Sequence, residues 1–214
     1  MKLYTYFRSS AAFRVRIALN VKGVAYESIS KDLRNQAGEQ RRSDYLALNP
    51  QGLVPALEDE GRVLGQSIAI IEYLEEKFPS PPLLPAAPAE RAQVRAMALG
   101  IACDMHPLNN LRVLNYLRDE LEQSEEGVNR WYAHWIAAGF RGLEELARRS
   151  TADGKFCFGS SVTLADVCLV PQMYNARRFK CDVTPYPTLV SISAHLEQLP
   201  AFDAARPEAQ PDAT

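Results

Sequence analysis

The sequence has 214 residues, of which 47% are hydrophobic and 23% are charged, with a formal net charge of −2. The 24 lysines and arginines are balanced by 26 acidic residues and form no basic face, which argues against nucleic acid as a partner. No stretch approaches the roughly 18 apolar residues of a membrane span, and the chain opens on a strand pattern without a secretory signal. We therefore expect a cytoplasmic protein with no membrane partner.

The first 79 residues have the patterns of a small α/β domain. In chain order the predicted elements are strand 3–7, helix 12–22, strand 25–30, strand 56–59, strand 62–65 and helix 68–78. Gly23 ends the first helix, and Glu60-Gly61 is typical of a hairpin turn. The pattern predicts a βαβ unit, a β-hairpin and a covering helix.

A proline-rich segment separates this domain from the rest of the chain. Half of the residues from Pro79 to Pro88 are proline, so no helix or central strand can continue through them. We assign residues 1–79 to the first domain, 80–88 to a linker and 89–214 to a second, all-helical domain. Its predicted helices are 90–123, 128–148, 164–179 and 189–199. The tail 206–214 is polar, and its composition predicts no independent structure.

The junction between the first strand and the first helix is the candidate site of chemistry. Arg8, Ser9 and Ser10 lie there. A helix N-terminus offers unpaired backbone N–H groups and a partial positive charge, and a serine hydroxyl adds one hydrogen bond, so a bound thiol would be stabilised as thiolate. From these residues alone, a plain N-cap role for Ser10 is the favoured interpretation.

The four cysteines have no C-x-x-C spacing, and with only three histidines they form no metal-ligand pattern. We expect reduced thiols and no metal site. The segment 163–166 is typical of a capping box before an apolar helix, with Asp166 in place of the usual Glu, and we assign it to folding.

Several segments in this order resemble the cytosolic glutathione transferases, and in detail the zeta class, the maleylacetoacetate and maleylpyruvate isomerases. The segments are YFRSS at 6–10, FRVRIAL at 13–19, ALNP at 47–50, Val54-Pro55, QSIAIIEYL at 66–74, Arg178-Phe179 and DVTPYP at 182–187. The resemblance implies a thioredoxin-like βαβαββα domain followed by a helical domain. It also implies a homodimer that binds glutathione.

The resemblance assigns roles to particular residues. Ser10, or alternatively Ser9, would hold the glutathione thiolate, and a cis Val54–Pro55 bond would turn the Val54 backbone toward the cysteinyl part of glutathione. Gln66 and Ser67 would bind the γ-glutamyl carboxylate, although Ser67 could also be an ordinary N-cap. The remaining implied contacts to glutathione come from Gln51 at the glycyl end, Asp104 across a dimer interface, His106, and Asn110 one turn later on the same helix face.

Arg8, His106 and Arg178 are the expected substrate ligands. The substrates of the class are cis-enedione dicarboxylates, and guanidinium groups bind carboxylates through paired hydrogen bonds. Arg177 is expected to face elsewhere, because adjacent helical residues diverge. His106 could orient a carboxylate or shuttle a proton, although a lone histidine near a helix kink is often structural.

The resemblance implies glutathione-dependent cis–trans isomerisation, with Arg8, Ser9 and Ser10 as the catalytic residues. The alternatives are a transferase acting on α-halo acids, a noncatalytic interaction module, and a transferase activated by Tyr4 or Tyr6. One residue departs from the class. The zeta pattern usually reads Ser-Ser-Cys, whereas this chain has Ala11 in the third position. We therefore expect chemistry that needs a mixed disulfide to be weak.

Overall fold

A four-stranded sheet forms the centre of the N-terminal part of the computed structural model, which describes residues 1–33 and 38–213. Its strands are β1 (Lys2–Thr5), β2 (Glu27–Ser30), β3 (Ala56–Asp59) and β4 (Arg62–Gly65). They lie in the order β2-β1-β3-β4, with β1 and β2 parallel and the other neighbours antiparallel. The parallel pair requires a crossover, and a helix supplies it.

Three helices accompany this sheet. They are α1 (Ser10–Val21), α2 (Ser43–Leu48) and α3 (Ser67–Lys77). The resulting order, βαβαββα, confirms the predicted thioredoxin-like arrangement. Leu3 of β1, Leu57 of β3, Ile17 of α1 and Ile70 of α3 are fully buried, so the sheet and its helices share one apolar core.

Helices α4 to α9 make up most of the remaining chain. They are α4 (Pro88–Leu99), α5 (Leu111–Asp119), α6 (Glu125–Ser150), α7 (Leu164–Arg178), α8 (Pro187–Leu196) and α9 (Pro200–Asp203), with a π-helical turn at Gly100–Met105 after α4. The predicted single helix 90–123 is wrong. It is divided into α4, the π-helical turn and α5, and Pro107, which lacks an N–H donor, lies in the break.

The core of the helical part contains one face of α6 and nearly all of α7. Tyr132, Ile136 and Phe140, four residues apart on α6, are at most 1% exposed. The capping box before α7 is present, because Asp166 accepts hydrogen bonds from the Thr163 backbone N–H at 2.8 Å and its hydroxyl at 2.7 Å. Asp166 also accepts from the Cys157 N–H at 2.7 Å, so the box joins the preceding loop to α7.

The chain divides into two compact units, but the boundary differs from the predicted 89–214 domain. The helical unit is Leu83–Glu197, whereas residues from Gln198 onward belong with Met1–Pro82. The Asn20 amide donates to the Ala201 carbonyl oxygen at 3.0 Å, and the buried Arg16 donates to the Ala205 carbonyl oxygen at 3.0 Å. Polar groups of α1 hold this segment, which a hydrophobic periodicity does not reveal.

Among the helices in residues 1–33 and 38–213, none combines the length and apolar character needed to span a bilayer.

Candidate active site

Ser9 and Ser10 have different structural roles at the start of α1. Ser9 is the N-cap, and its hydroxyl oxygen accepts a hydrogen bond from the Ala12 N–H at 3.2 Å. Ser10 is the first residue of the helix and is 5% exposed. The capping role that the sequence suggested for Ser10 therefore belongs to Ser9. A hydroxyl that accepts one hydrogen bond still has its proton to donate, so capping leaves Ser9 available to an anion.

Backbone donors surround these two hydroxyls. The amides of the first helical turn have no intrahelical acceptor, and within the described residues the Ala11 N–H has no hydrogen-bond partner. The dipole of α1 adds partial positive charge at the same place. Arg8 lies in a turn that is closed by a hydrogen bond of 2.9 Å from the Ser9 N–H to the Tyr6 carbonyl oxygen. Its side chain is exposed, and its guanidinium lies 4.8 Å from the centroid of the Phe7 ring. This junction can hold an anionic sulfur.

The loop before β3 contains the predicted cis bond between Val54 and Pro55. The Asn49 amide donates to the Leu53 carbonyl oxygen at 2.8 Å, and the Tyr45 hydroxyl donates to the same oxygen at 2.7 Å. Neither Asn49 nor Tyr45 has a role predicted from the sequence. Both are buried, and they fix the backbone immediately before Val54.

The start of α3 brings Gln51, Gln66 and Ser67 into one hydrogen-bonded region. The Gln66 amide donates to the Gln51 side-chain oxygen at 2.9 Å. Gln66 is the N-cap with φ of 66°, a left-handed conformation that is rare for residues with a side chain. Ser67 follows as the first helical residue, so the ordinary N-cap interpretation of Ser67 is wrong. Its hydroxyl accepts from the buried Arg14 at 3.4 Å, which turns a cation toward this helix N-terminus.

The other predicted ligands of glutathione lie in the helical unit. Asp104 is exposed in the π-helical turn, and His106 directly follows that turn. Asn110 is the N-cap of α5, with extended backbone and its side-chain oxygen accepting from the Arg112 N–H at 3.1 Å. Because the chain leaves helical geometry between His106 and Asn110, the expectation that they share one helix face is wrong.

Arg178 and Arg177 end α7 with different surroundings. Arg178 is exposed, and its guanidinium lies 4.7 Å from the centroid of the Phe179 ring, which stacks on Tyr132 with centroids 3.8 Å apart. Arg177 forms an ion pair with Glu197 at 2.6 Å. The expected divergence of the two side chains is confirmed. Arg177 pairs with Glu197 at the end of α8, whereas Arg178 lies over the Phe179 ring.

The Tyr4 hydroxyl is poorly suited to donate a hydrogen bond to a bound thiolate. Its hydroxyl donates to the Glu58 carboxylate at 2.8 Å, and burial together with that bond raises the pKa of Tyr4 to about 12. Tyr6 is buried, with its ring 4.8 Å from that of Phe7. These contacts argue against Tyr4 as the residue that activates the thiolate. Ser9 and Ser10, in contrast, lie at the helix N-terminus.

All four cysteines are free, as predicted. Cys157 and Cys168 are buried, Cys181 is half-buried and Cys103 is exposed, and all four lie in the helical unit. Burial raises the pKa of Cys181 to about 11. The unit that contains Ser9 and Ser10 has no cysteine at all.

A thioredoxin-like unit with a cis-proline before β3, followed in sequence by a helical unit, defines a protein of the glutathione transferase type. Comparison with known proteins agrees: the N-terminal domain of glutathione S-transferase matches residues 3–82, and its C-terminal domain matches residues 129–204. The chain belongs to the glutathione S-transferase family and, by its full-length relatives, to the zeta class.

Three relatives illustrate the likeness. A probable maleylacetoacetate isomerase of Vibrio cholerae serotype O1 is 54% identical over 211 residues, covering 99% of this chain and 97% of that protein. The holo structure of a zeta-class maleyl pyruvate isomerase has 48% identity and a TM-score of 0.97, with both chains covered completely. A maleylacetoacetate isomerase from Methylobacterium extorquens AM1, solved with bound malonate and glutathione, has 42% identity and a TM-score of 0.94, again with complete coverage.

Proposed function

We propose that this chain catalyses the glutathione-dependent cis–trans isomerisation of a cis-enedione dicarboxylate, maleylacetoacetate or maleylpyruvate. The observation that carries the proposal is the N-terminus of α1, where the Ala11 amide and two serine hydroxyls adjoin a helix dipole. A bound thiolate could perform several reactions. The full-length likeness to isomerases of these two substrates supports isomerisation among them.

The chain's own groups suit glutathione. The Ala11 N–H, without an acceptor in the described residues, fits an anionic sulfur. Two maleylacetoacetate isomerases, 42% and 44% identical to this chain, were solved with glutathione bound. When bound, glutathione supplies a thiolate that adds reversibly to a carbon–carbon double bond and so allows rotation about it, and it is regenerated at the end.

Ser10 is the first choice for the hydroxyl that donates to the sulfur, and Ser9 is the second. A hydrogen bond to the charged form favours that form, and a helix N-terminus does the same, so both lower the thiol pKa toward neutrality. Ser10 keeps its own proton throughout. Ala11 places no thiol beside the sulfur, which disfavours chemistry that needs a mixed disulfide and leaves addition unaffected.

The proposed contacts to the rest of glutathione come from the loops before β3 and α3. The Val54 backbone would pair with the cysteinyl part, and Gln66 with Ser67 would receive the γ-glutamyl carboxylate at the start of α3. The cation of Arg14, hydrogen-bonded to the Ser67 hydroxyl, favours an anion there. Gln51, bonded to Gln66, would reach the glycyl end.

The substrate carboxylates are assigned to Arg8 and Arg178. Both guanidinium groups are exposed and lie beside aromatic rings, and their planar arrangement of donors matches a carboxylate. Positive charge there would also stabilise the negative charge that develops next to the substrate carbonyl. His106 would orient a carboxylate or carry a proton. A homodimer in the cytoplasm, with Asp104 reaching the glutathione amine of the partner subunit, completes the proposal.

A spectrophotometric assay with both substrates tests the function. Each is supplied with catalytic glutathione, with no glutathione, and with S-methylglutathione, which has the same peptide but no free thiol. We expect conversion of at least one substrate to its trans isomer only with glutathione, and total glutathione unchanged at the end. If both substrates stay cis with glutathione present, the isomerase assignment fails. Conjugation of an α-halo acid in the same preparation would then favour the transferase alternative.

A further inference from the structure

The segment 204–213 holds the backbone of the loop that leads into α1. The Asp212 carboxylate accepts hydrogen bonds from the Phe7 backbone N–H at 3.0 Å and from the Ser30 hydroxyl at 2.7 Å. One carboxylate oxygen has enough lone pairs for both donors. Phe7 lies just after β1 and Ser30 ends β2, so Asp212 joins the ends of the two parallel strands.

Arg16 holds the same loop from the side of the core. Its guanidinium is fully buried and donates to the Phe7 carbonyl oxygen at 3.0 Å, the Tyr6 carbonyl oxygen at 3.4 Å and the Thr5 hydroxyl at 3.0 Å. Its Nε–H donates to the Ala205 carbonyl oxygen at 3.0 Å. Burial lowers the pKa of Arg16 to about 10, against the opposing effect of Tyr26 and Asp212, so the guanidinium stays cationic at neutral pH.

Both backbone polar groups of Phe7 are therefore held by side chains distant in sequence. The N–H is bound by Asp212 and the carbonyl oxygen by Arg16, which fixes the peptide planes on either side of this residue. The next residues along the chain are Arg8 and Ser9. Their direction depends on those two planes, because the chain makes a turn there, closed by the Ser9 N–H.

We propose that Asp212 is a positioning residue for the glutathione thiolate: through the Phe7 N–H it sets the placement of Ser9, Ser10 and the α1 N-terminus. The inference rests on the proposed function for the identity of the anion. Anion stabilisation by preorganised donors needs them within a few tenths of an ångström of their working positions. Loss of the acceptor would release the Phe7 peptide and loosen that placement without touching the sulfur.

The test compares Asp212→Ala, Asp212→Asn and Asp203→Asn in the full chain. Asp212→Asn keeps an acceptor oxygen for both donors. Asp203→Asn is the matched control, because the Asp203 carboxylate lies in the same chain end and pairs with the exposed Arg206 at 3.1 Å. Three quantities are measured for each variant: the glutathione Kd by calorimetry, the pKa of the bound thiol by ultraviolet absorbance of the thiolate, and Tm.

We expect Asp212→Ala to raise the glutathione Kd about fivefold to tenfold and to raise the bound-thiol pKa, since it leaves a backbone donor without its acceptor. Asp212→Asn should stay within about twofold of the parent chain, and Asp203→Asn should match the parent. Unchanged Kd and thiol pKa in Asp212→Ala, or equal losses in Asp212→Asn, would overturn the proposal. Because all readouts use glutathione alone, they stand even if neither proposed substrate is turned over.

Discussion

Replacing Ser9 and Ser10 one at a time should separate capping from catalysis. Ser9→Ala removes the acceptor of the Ala12 N–H, a 3.2 Å bond, and loss of a serine N-cap costs about 1 kcal/mol. In a protein of this size that corresponds to a fall in Tm of about 2–4 °C. Ser10→Ala puts a strong helix former at the first helical position, so we expect a smaller change in Tm.

Activity should respond in the opposite order. A hydrogen bond to a charged group contributes about 1.5–3 kcal/mol, so its loss from the thiolate should slow isomerisation by about 10-fold to 150-fold. We expect Ser10→Ala to lose activity on that scale and to raise the bound-thiol pKa. Ser9→Gly, which retains most capping stability but has no hydroxyl, serves as the control for Ser9→Ala.

Three measurements distinguish the roles of the two serines. They are thermal unfolding, the isomerisation rate at saturating glutathione and the ultraviolet titration of the bound thiol. Full activity in Ser10→Ala with a deficit in Ser9→Gly would move the donor role to Ser9. If both variants kept full activity and the parent thiol pKa, the reasoning from hydroxyl donation would be refuted, leaving only the helix N-terminus.

Three further predictions concern the ion pairs, the arginines and the missing cysteine. Lys22→Met should destabilise the fold by about 3–5 kcal/mol in denaturant titrations, because the lysine is wholly buried and bonds the buried Glu75 at 2.7 Å; a loss below about 1 kcal/mol would contradict this. Arg178→Ala should lower kcat/KM for the dicarboxylate at least about tenfold, whereas Arg177→Ala should leave it unchanged, and equal effects would remove Arg178 from the site. Reductive dehalogenation of a chlorinated hydroquinone should be weak or absent and should rise in Ala11→Cys; robust turnover by the parent chain would show that the cysteine is not needed.

The β-hairpin was predictable because its determinants are local. Residues 56–59 and 62–65 match β3 and β4, and their register pairs Asp59 with Arg62 across a two-residue turn. Glu60 and Gly61 have φ of 49° and 75°, as the favoured hairpin turn requires. The order of the four strands and of α1 and α3 follows from similarly local signals, whereas α2 was implied only by the family resemblance.

Features that depend on distant contacts were not predictable from pattern. Arg16 lies on α1 and is fully buried although it is charged, because the carbonyl oxygens of Phe7 and Ala205, from two separate segments, accept from its guanidinium. The assignment of the chain end to the helical domain failed for the same reason. Asp212 gave no signal, since a carboxylate in a polar tail is ordinary until the Phe7 amide is seen beside it.

At the candidate site, the residues carrying the family resemblance were identifiable, but their local roles were not. Serine at a helix start fits both the N-cap and the first helical position, and only backbone geometry assigns Ser9 to the cap. Pro107 lies in the break between His106 and Asn110 and is a sequence signal for it, whereas the π-helical turn before the break has no comparable signature.

A crystal structure of the protein soaked with glutathione would locate the bound sulfur. We expect the sulfur within hydrogen-bond distance of a hydroxyl of Ser9 or Ser10, facing the first-turn amides of α1. A tripeptide bound with its sulfur directed away from that helix N-terminus would contradict this expectation.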